Sequence, residues 1–159
     1  MIFISLGTQK FQLNRLLKKI DVLISEGRIN DSVFAQIGYS DYLPINYGYK
    51  RFINNDSFND YIKKSSLVIT HGGVGNIITA LNYGKKIIVV PRIKKFNEHV
   101  DDHQVQIARA FYDNGHTLVC KDLKNLAKII SNSKEFVPKR YISHRTAYIE
   151  FIKKIITDK

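Results

Sequence analysis

The sequence predicts an α/β fold, a single Rossmann-like domain built around a mostly parallel sheet. Short β-branched apolar runs alternate with amphipathic segments along the chain, the signature of βαβ units. Glycines stand where strands end and where helices stop. A length of 159 residues with 44% hydrophobic residues suits one compact core and would cramp two.

The elements follow in order. Ile2–Leu6 is an apolar strand bounded by Gly7. In Gln12–Glu26, Leu13, Leu16, Leu17, Ile20, Leu23 and Ile24 recur at helical spacing, and Gly27 stands at the stop. Val33–Ile37 is a strand closed by Gly38, and Tyr39–Tyr49 is irregular, holding Pro44 and Gly48. Arg51–Ile53 reads as a short strand, and Asp56 or Ser57 caps a short helix running to Ser65. Leu67–Thr70 is a buried strand, His71–Gly75 a glycine-rich turn, and Asn76–Tyr83 a helix ended by Gly84. Lys86–Val90 is a strand ended by Pro91, Arg92–Val100 a loop, and Asp101–Asn114 a helix ended by Gly115. His116–Cys120 completes six strands, Asp122–Ser131 is a helix, and Ile142–Ile156 is a last amphipathic helix in a domain spanning 1–159. No linker, repeat or second domain is visible.

Composition excludes several classes. A lone cysteine, Cys120, rules out an intrachain disulfide and a multi-cysteine zinc site. The longest apolar runs, such as Ile87–Pro91, fall far short of the ~20 residues of a membrane span. No charged leader precedes the first apolar stretch, which argues against a secretory signal and for the cytoplasm. The net charge of +11 favours anionic partners. The lysines come in pairs spread along the chain, a pattern equally that of a solvated basic surface. The interleaved aromatic and glycine pattern of common RNA modules is missing, so no nucleic-acid partner is expected.

Parallel sheets bind ligands at the carboxyl ends of their strands, so three turns fall on the functional edge: Gly7–Gln12, His71–Asn76 and Pro91–Asp102. The run His71-Gly72-Gly73-Val74-Gly75-Asn76 leads from a strand into a helix. The first N–H groups of a helix have no internal partner and carry the positive end of its dipole, which suits a diphosphate. The turn is neither a Walker loop nor a Gly-x-Gly-x-x-Gly fingerprint. A tight turn needing glycine for steric reasons alone fits the same residues. Thr8 follows Gly7 at the same edge, placed either for a phosphate or sugar or simply near a helix start. In Glu98-His99-Val100-Asp101-Asp102-His103-Gln104, polar groups crowd a helix start, where Asp102, His103 and Gln104 suit sugar hydroxyls. His99 and His103 would share a metal only on a helix begun before 99, and with no third ligand evident no metal is expected.

Taken together, Thr70–Asn76, Ala80-Leu81, Gly84-Lys85, Ile88–Pro91 and Asp101–Gln104 resemble the C-terminal domain of family 28 glycosyltransferases. Phe3–Thr8 fits the opening strand and loop of the small single-domain members, which include one part of a two-part lipid-linked N-acetylglucosaminyltransferase and bacterial exopolysaccharide and capsule counterparts. The resemblance implies the C-terminal half of a GT-B enzyme, with a membrane-anchored partner supplying the acceptor-binding half. It implies an inverting, metal-independent transfer, without cofactor, from a UDP-sugar to a lipid-linked saccharide for a surface polysaccharide. The chain would then work at the inner face of the plasma membrane, drawn there by its partner and by anionic lipid.

His71, at the strand end before three glycines, is placed either for structure or to touch ligand. By the same resemblance, Gly72, Gly73, Val74, Gly75 and Asn76 cradle the diphosphate. Asp102 and Gln104 hold sugar hydroxyls, and Gly7 and Thr8 line the cleft. Relatives carry a ribose-binding Glu where this chain has Thr79. Glu98 and His99 lie in the loop from which a base would act, and a base on the partner is the open alternative. A non-catalytic nucleotide-sugar-binding module of a partner protein is the rival reading. The last helix packs on its own domain or the missing half, or lies on a membrane.

Overall fold

The computed structural model describes residues 1–142; most of the helix expected over 142–156 lies outside the described residues. Six strands form one sheet: β1 (Ile2–Ser5), β2 (Val33–Gln36), β3 (Gly48–Lys50), β4 (Leu67–Thr70), β5 (Lys86–Val89) and β6 (Leu118–Val119). Their order is β3-β2-β1-β4-β5-β6 and every pairing is parallel. The helices are α1 (Asn14–Ser25), α2 (Asn55–Lys64), α3 (Val74–Asn82), α4 (His103–Asp113) and α5 (Leu126–Asn132).

The central strands β1 and β4 are buried on both faces and read as apolar runs. Alternate residues separate two cores. Ile2, Ile4, Ile69 and Ile88 pack with Leu16, Leu17 and Ile20 of α1 and Leu126 and Ile130 of α5. Phe3, Val68, Ile87 and Val89 pack with Ile62 of α2, Ile77 and Ala80 of α3 and Ala108 of α4. Phe3 stacks on Tyr61, and Tyr61 on Phe34 with rings 4.1 Å apart. The expected helix stops Gly27, Gly84 and Gly115 all have positive φ.

Several boundaries differ from expectation. The cap of α2 is Asn54, whose side chain accepts from the Ser57 amide, not Asp56 or Ser57. α3 begins at Val74 and not Asn76, because the extended Gly73 is its cap, so Val74 and Gly75 form the first helical turn. The third strand is Gly48–Lys50, not Arg51–Ile53: Gly48 pairs with Phe34, whose ring covers the side-chain space that glycine leaves. The turn 39–47 is irregular yet anchored. The buried Asp21 carboxylate of α1 accepts from Tyr42 Oη and the Ile45 and Asn46 amides. The fourth helix starts at His103 rather than Asp101, because Asp102 turns back to accept from the Lys94 amide at 2.8 Å. α5 is shorter than expected, its first turn replaced by a 3-10 turn that Asp122 caps through the Lys124 amide.

The order reverses between β1 and β4, whose outgoing loops diverge and open a crevice at the carboxyl edge. Ile88→Ala in the doubly flanked β5 should cost about 2–5 kcal/mol. Asn54→Ala, which removes the cap accepting from Ser57, should cost about 1 kcal/mol. Urea denaturation of both variants checks the contrast.

Candidate functional site

The crevice is a cleft of about 520 Å³. One wall is the loop after β1 (Gly7, Thr8, Gln9), and the floor is the turn after β4 (His71–Asn76). Gln36, Ile53, Asn55 and Phe58 close one side and His103, Gln104 and Ile107 the other. Among the described residues lining the cleft, none is acidic.

The floor is built from the strand ends. Thr70 Oγ1 donates to the Ser5 carbonyl at 2.9 Å, and Asn76 Nδ2 donates to Ser5 Oγ at 2.7 Å. Asn76 therefore offers its backbone N–H to the cleft while its side chain ties α3 to β1. Gly73 caps α3 without any side-chain acceptor, and Val74, Gly75 and Asn76 begin the helix with amides that have no intrahelical acceptor. Gly72 N–H is already taken, donating to Gln104 Oε1 at 3.0 Å.

The four glycines have different reasons to be glycine. A Cβ on Gly7 would lie 2.7 Å from His71 Cε1, and one on Gly73 would lie 2.2 Å from His71 Nε2. A Cβ on Gly72 would meet Gln104 Cβ at 2.7 Å. These three are glycine because the His71 ring and the Gln104 side chain fill the space. Gly75 is different: its Cβ would meet nothing within 4 Å, and its φ is not positive. Packing does not require glycine there, and a ligand approaching the helix start would.

His71 is buried, with Nδ1 3.4 Å from the Ser5 carbonyl. Burial, and then the nearby Arg92 charge, pushes its pKa down to about 4, so the ring is neutral at pH 7. Arg92 was not singled out from the sequence. It is fully buried, and its Nη2 donates to the carbonyls of Leu6 at 2.7 Å and Phe11 at 2.9 Å. Its amide donates to the same Gln104 Oε1 that holds Gly72. Burial lowers its pKa to about 10, so it keeps its charge. Strand-end position after Pro91 was the only available signal; which carbonyls it reaches depends on loops some 80 residues upstream.

The structure gathers Gly7, Thr8, His71–Asn76 and Gln104 on one cleft. Gln104 spends its carbonyl oxygen on two backbone amides. Four expected residues lie off the lining. Thr79 Oγ1 donates back to the Gly75 carbonyl at 2.8 Å. Asp102 is held by Lys94. Glu98 is a loop anchor and not a free base: it is buried, with one oxygen 2.6 Å from Arg15 Nε and the other accepting the Ile93 amide. His99 packs on Phe11, ring centroids 4.4 Å apart, with Nδ1 3.2 Å from Asp101 Oδ1. His103 Nδ1 meets the same Asp101 oxygen, so the third member of the histidine cluster is Asp101. The His103 backbone N–H, and after it the His103 imidazole, hydrogen-bond that carboxylate and hold its pKa below the ordinary value.

A family model for the glycosyltransferase family 28 C-terminal domain matches residues 1–158. The human UDP-N-acetylglucosamine transferase subunit ALG13 is 27% identical over 128 residues, 75% of this chain but 11% of that protein. The Candida glabrata subunit of the same name is 30% identical over 107 residues, 67% of this chain and 45% of that one. The chain thus spans about a tenth of the human relative's length. An Acinetobacter baumannii MurG crystal structure shares the fold at TM-score 0.59 and 19% identity, over 86% of this chain and 42% of that one.

Two outcomes test the site's construction. Gly75→Ala should leave stability unchanged or raise it by about 0.5–1 kcal/mol, whereas Gly73→Ala should lose about 1–3 kcal/mol against the His71 ring. Stability should also fall as pH drops from about 6.5 to about 4, because the unfolded chain binds a proton that buried His71 refuses. The His71 share is about 3 kcal/mol. His71→Asn should remove that share of the difference between urea curves at pH 7 and pH 4.

Proposed function

This chain belongs to the glycosyltransferase family 28 C-terminal domain family, and we propose that it is the donor-binding half of a two-part inverting glycosyltransferase. The observation that carries the reading is the start of α3. Its backbone amides are free of side-chain caps, on the floor of a cleft with no acidic lining among the described residues. The donor is a nucleotide sugar, a UDP-sugar in keeping with the substrate named for the ALG13 relatives.

The chemistry follows from the floor. As the sugar–phosphate bond breaks, the leaving diphosphate gains negative charge, and oriented amides at the helix start stabilise it without reorganising. Gly75 leaves the phosphate room to approach. Thr8 offers a hydroxyl from the facing loop, and Gln104, whose oxygen is spent on the Gly72 and Arg92 amides, would have only its Nε2 left to donate to a sugar hydroxyl. The apolar side chains of Ile53 and Phe58 form a flank for the planar base.

Among the described residues no carboxylate lines this cleft to take the acceptor proton, which supports a base on a partner subunit. That partner, membrane-anchored, would supply the acceptor-binding half and present a lipid-linked saccharide for surface polysaccharide synthesis. The pair would work at the cytoplasmic face of the plasma membrane. The same missing base favours the second reading, a nucleotide-sugar-binding module without turnover; mixing the chain with its partner and assaying transfer separates the two.

Calorimetry with UDP should give saturable binding that needs no magnesium. Gly75→Asp should weaken it at least tenfold with little change in stability, because the new carboxylate faces the phosphates rather than a packed neighbour. Unchanged affinity would remove the helix start from the site. Gly73→Asp is a poorer probe, since its side chain collides with His71 whether or not a ligand binds.

A further inference from the structure

We propose that the loops after β5 and β6 form a docking surface for an anionic bilayer. The first loop is a 3-10 turn, Lys94–Phe96, whose three residues are all exposed, Phe96 at 45%. The second carries Lys121 and Lys124, also exposed. Lys95, Phe96, Lys121 and Lys124 line a shared hollow of about 410 Å³. Its one carboxylate, Asp122, accepts the Lys124 amide. Among the described residues, no carboxylate lies within ion-pair distance of the Lys94, Lys95, Lys121 or Lys124 ammonium. Arg15, at the back of the hollow, is neutralised by Glu98.

Phe96 leaves 45% of its surface exposed on a short turn, beside lysines that have no ion-pair partner among the described residues. The arrangement matches an interface where the ring enters the headgroup boundary and the ammonium groups meet lipid phosphates. The Phe96 ring has Lys95 Nζ 4.9 Å and the Arg15 guanidinium 5.2 Å from its centroid. Cations crowd its π face, which disfavours a stacked nucleobase and leaves the ring edge to insert.

Both loops leave the carboxyl edge of the sheet, the edge that also carries the cleft. Docking there brings a lipid-borne acceptor to the side of the molecule that holds the donor; this functional meaning, though not the binding itself, rests on the proposed transferase reading.

The 159-residue chain should co-sediment with vesicles of phosphatidylcholine mixed with phosphatidylglycerol and not with phosphatidylcholine alone. At about 1 kcal/mol per lysine, Lys95→Gln with Lys121→Gln should lower partitioning roughly 30-fold. Lys63→Gln with Lys64→Gln removes the same charge at the end of α2, next to the opposite sheet edge, and should change it less than about threefold. Phe96→Ser should weaken the binding that persists at high salt. UDP affinity, measured on the same proteins, should stay as in the parent, so loss of UDP binding in the parent would sink the donor site and leave the docking surface standing. Equal losses from the two lysine pairs would assign the binding to diffuse charge and overturn the proposal. Failure to bind mixed vesicles, or binding to a DNA duplex but not to vesicles, would overturn it as well.

Discussion

The geometry of the cleft depends on one buried cation. Arg92 leaves the end of β5, runs under the edge of the sheet and donates to backbone carbonyls at Leu6, Phe11 and Gln12. A buried guanidinium is costly to desolvate, and here only Nη1 lacks a partner. What the burial secures is the path of the loop after β1. The residue's own amide meets Gln104 Oε1, which also holds Gly72. Loops after β1, β4 and β5 and the first turn of α4 are thereby joined through two side chains. Losing either would leave several backbone groups unpaired at once, since a buried unsatisfied polar group costs about 1–3 kcal/mol.

That clamp explains why the glycine-rich turn takes its shape. Once Arg92 and Gln104 set the loops, His71 has a single slot, between Gly7 and Gly73, and both must lack a side chain. The ring's burial keeps it neutral, so the floor of the cleft carries no second full charge. The glycines of the cluster differ in kind. Positions 7, 72 and 73 make room for protein atoms, whereas a Cβ at position 75 would meet only open space.

Electrostatics then divides the molecule. Among the described residues the cleft lining holds no Asp, Glu, Lys or Arg, Glu98 is drawn back into an ion pair with Arg15, and Lys95, Lys121 and Lys124 line a separate hollow on the β5–β6 side. The net charge of +11 attracts anions, and among the described lining residues no lysine stands inside the cleft. Under the proposed reading the α3 amides would orient the leaving group and a partner subunit would supply the base.

Alternating apolar runs, helical spacing in Leu13–Ile24 and glycine stops were enough to predict six strands, their parallel packing and the functional edge, because these patterns record local conformation and burial. Gly7, Thr8 and His71–Asn76 were singled out because they stand where a strand gives way to a helix or loop, and Gln104 because polar groups crowd a helix start; the structure brings them to one cleft. The sequence could not show that Gly48 belongs to a strand, since the ring covering it comes from Phe34 on a neighbouring strand. Nor could it show that Glu98 is consumed by Arg15, or that Arg92 holds carbonyls some 80 residues upstream. Such partners are set by how the loops converge at the sheet edge. Spacing along the chain carries the period of a helix or strand, and only the packed tertiary structure decides which polar groups meet across it.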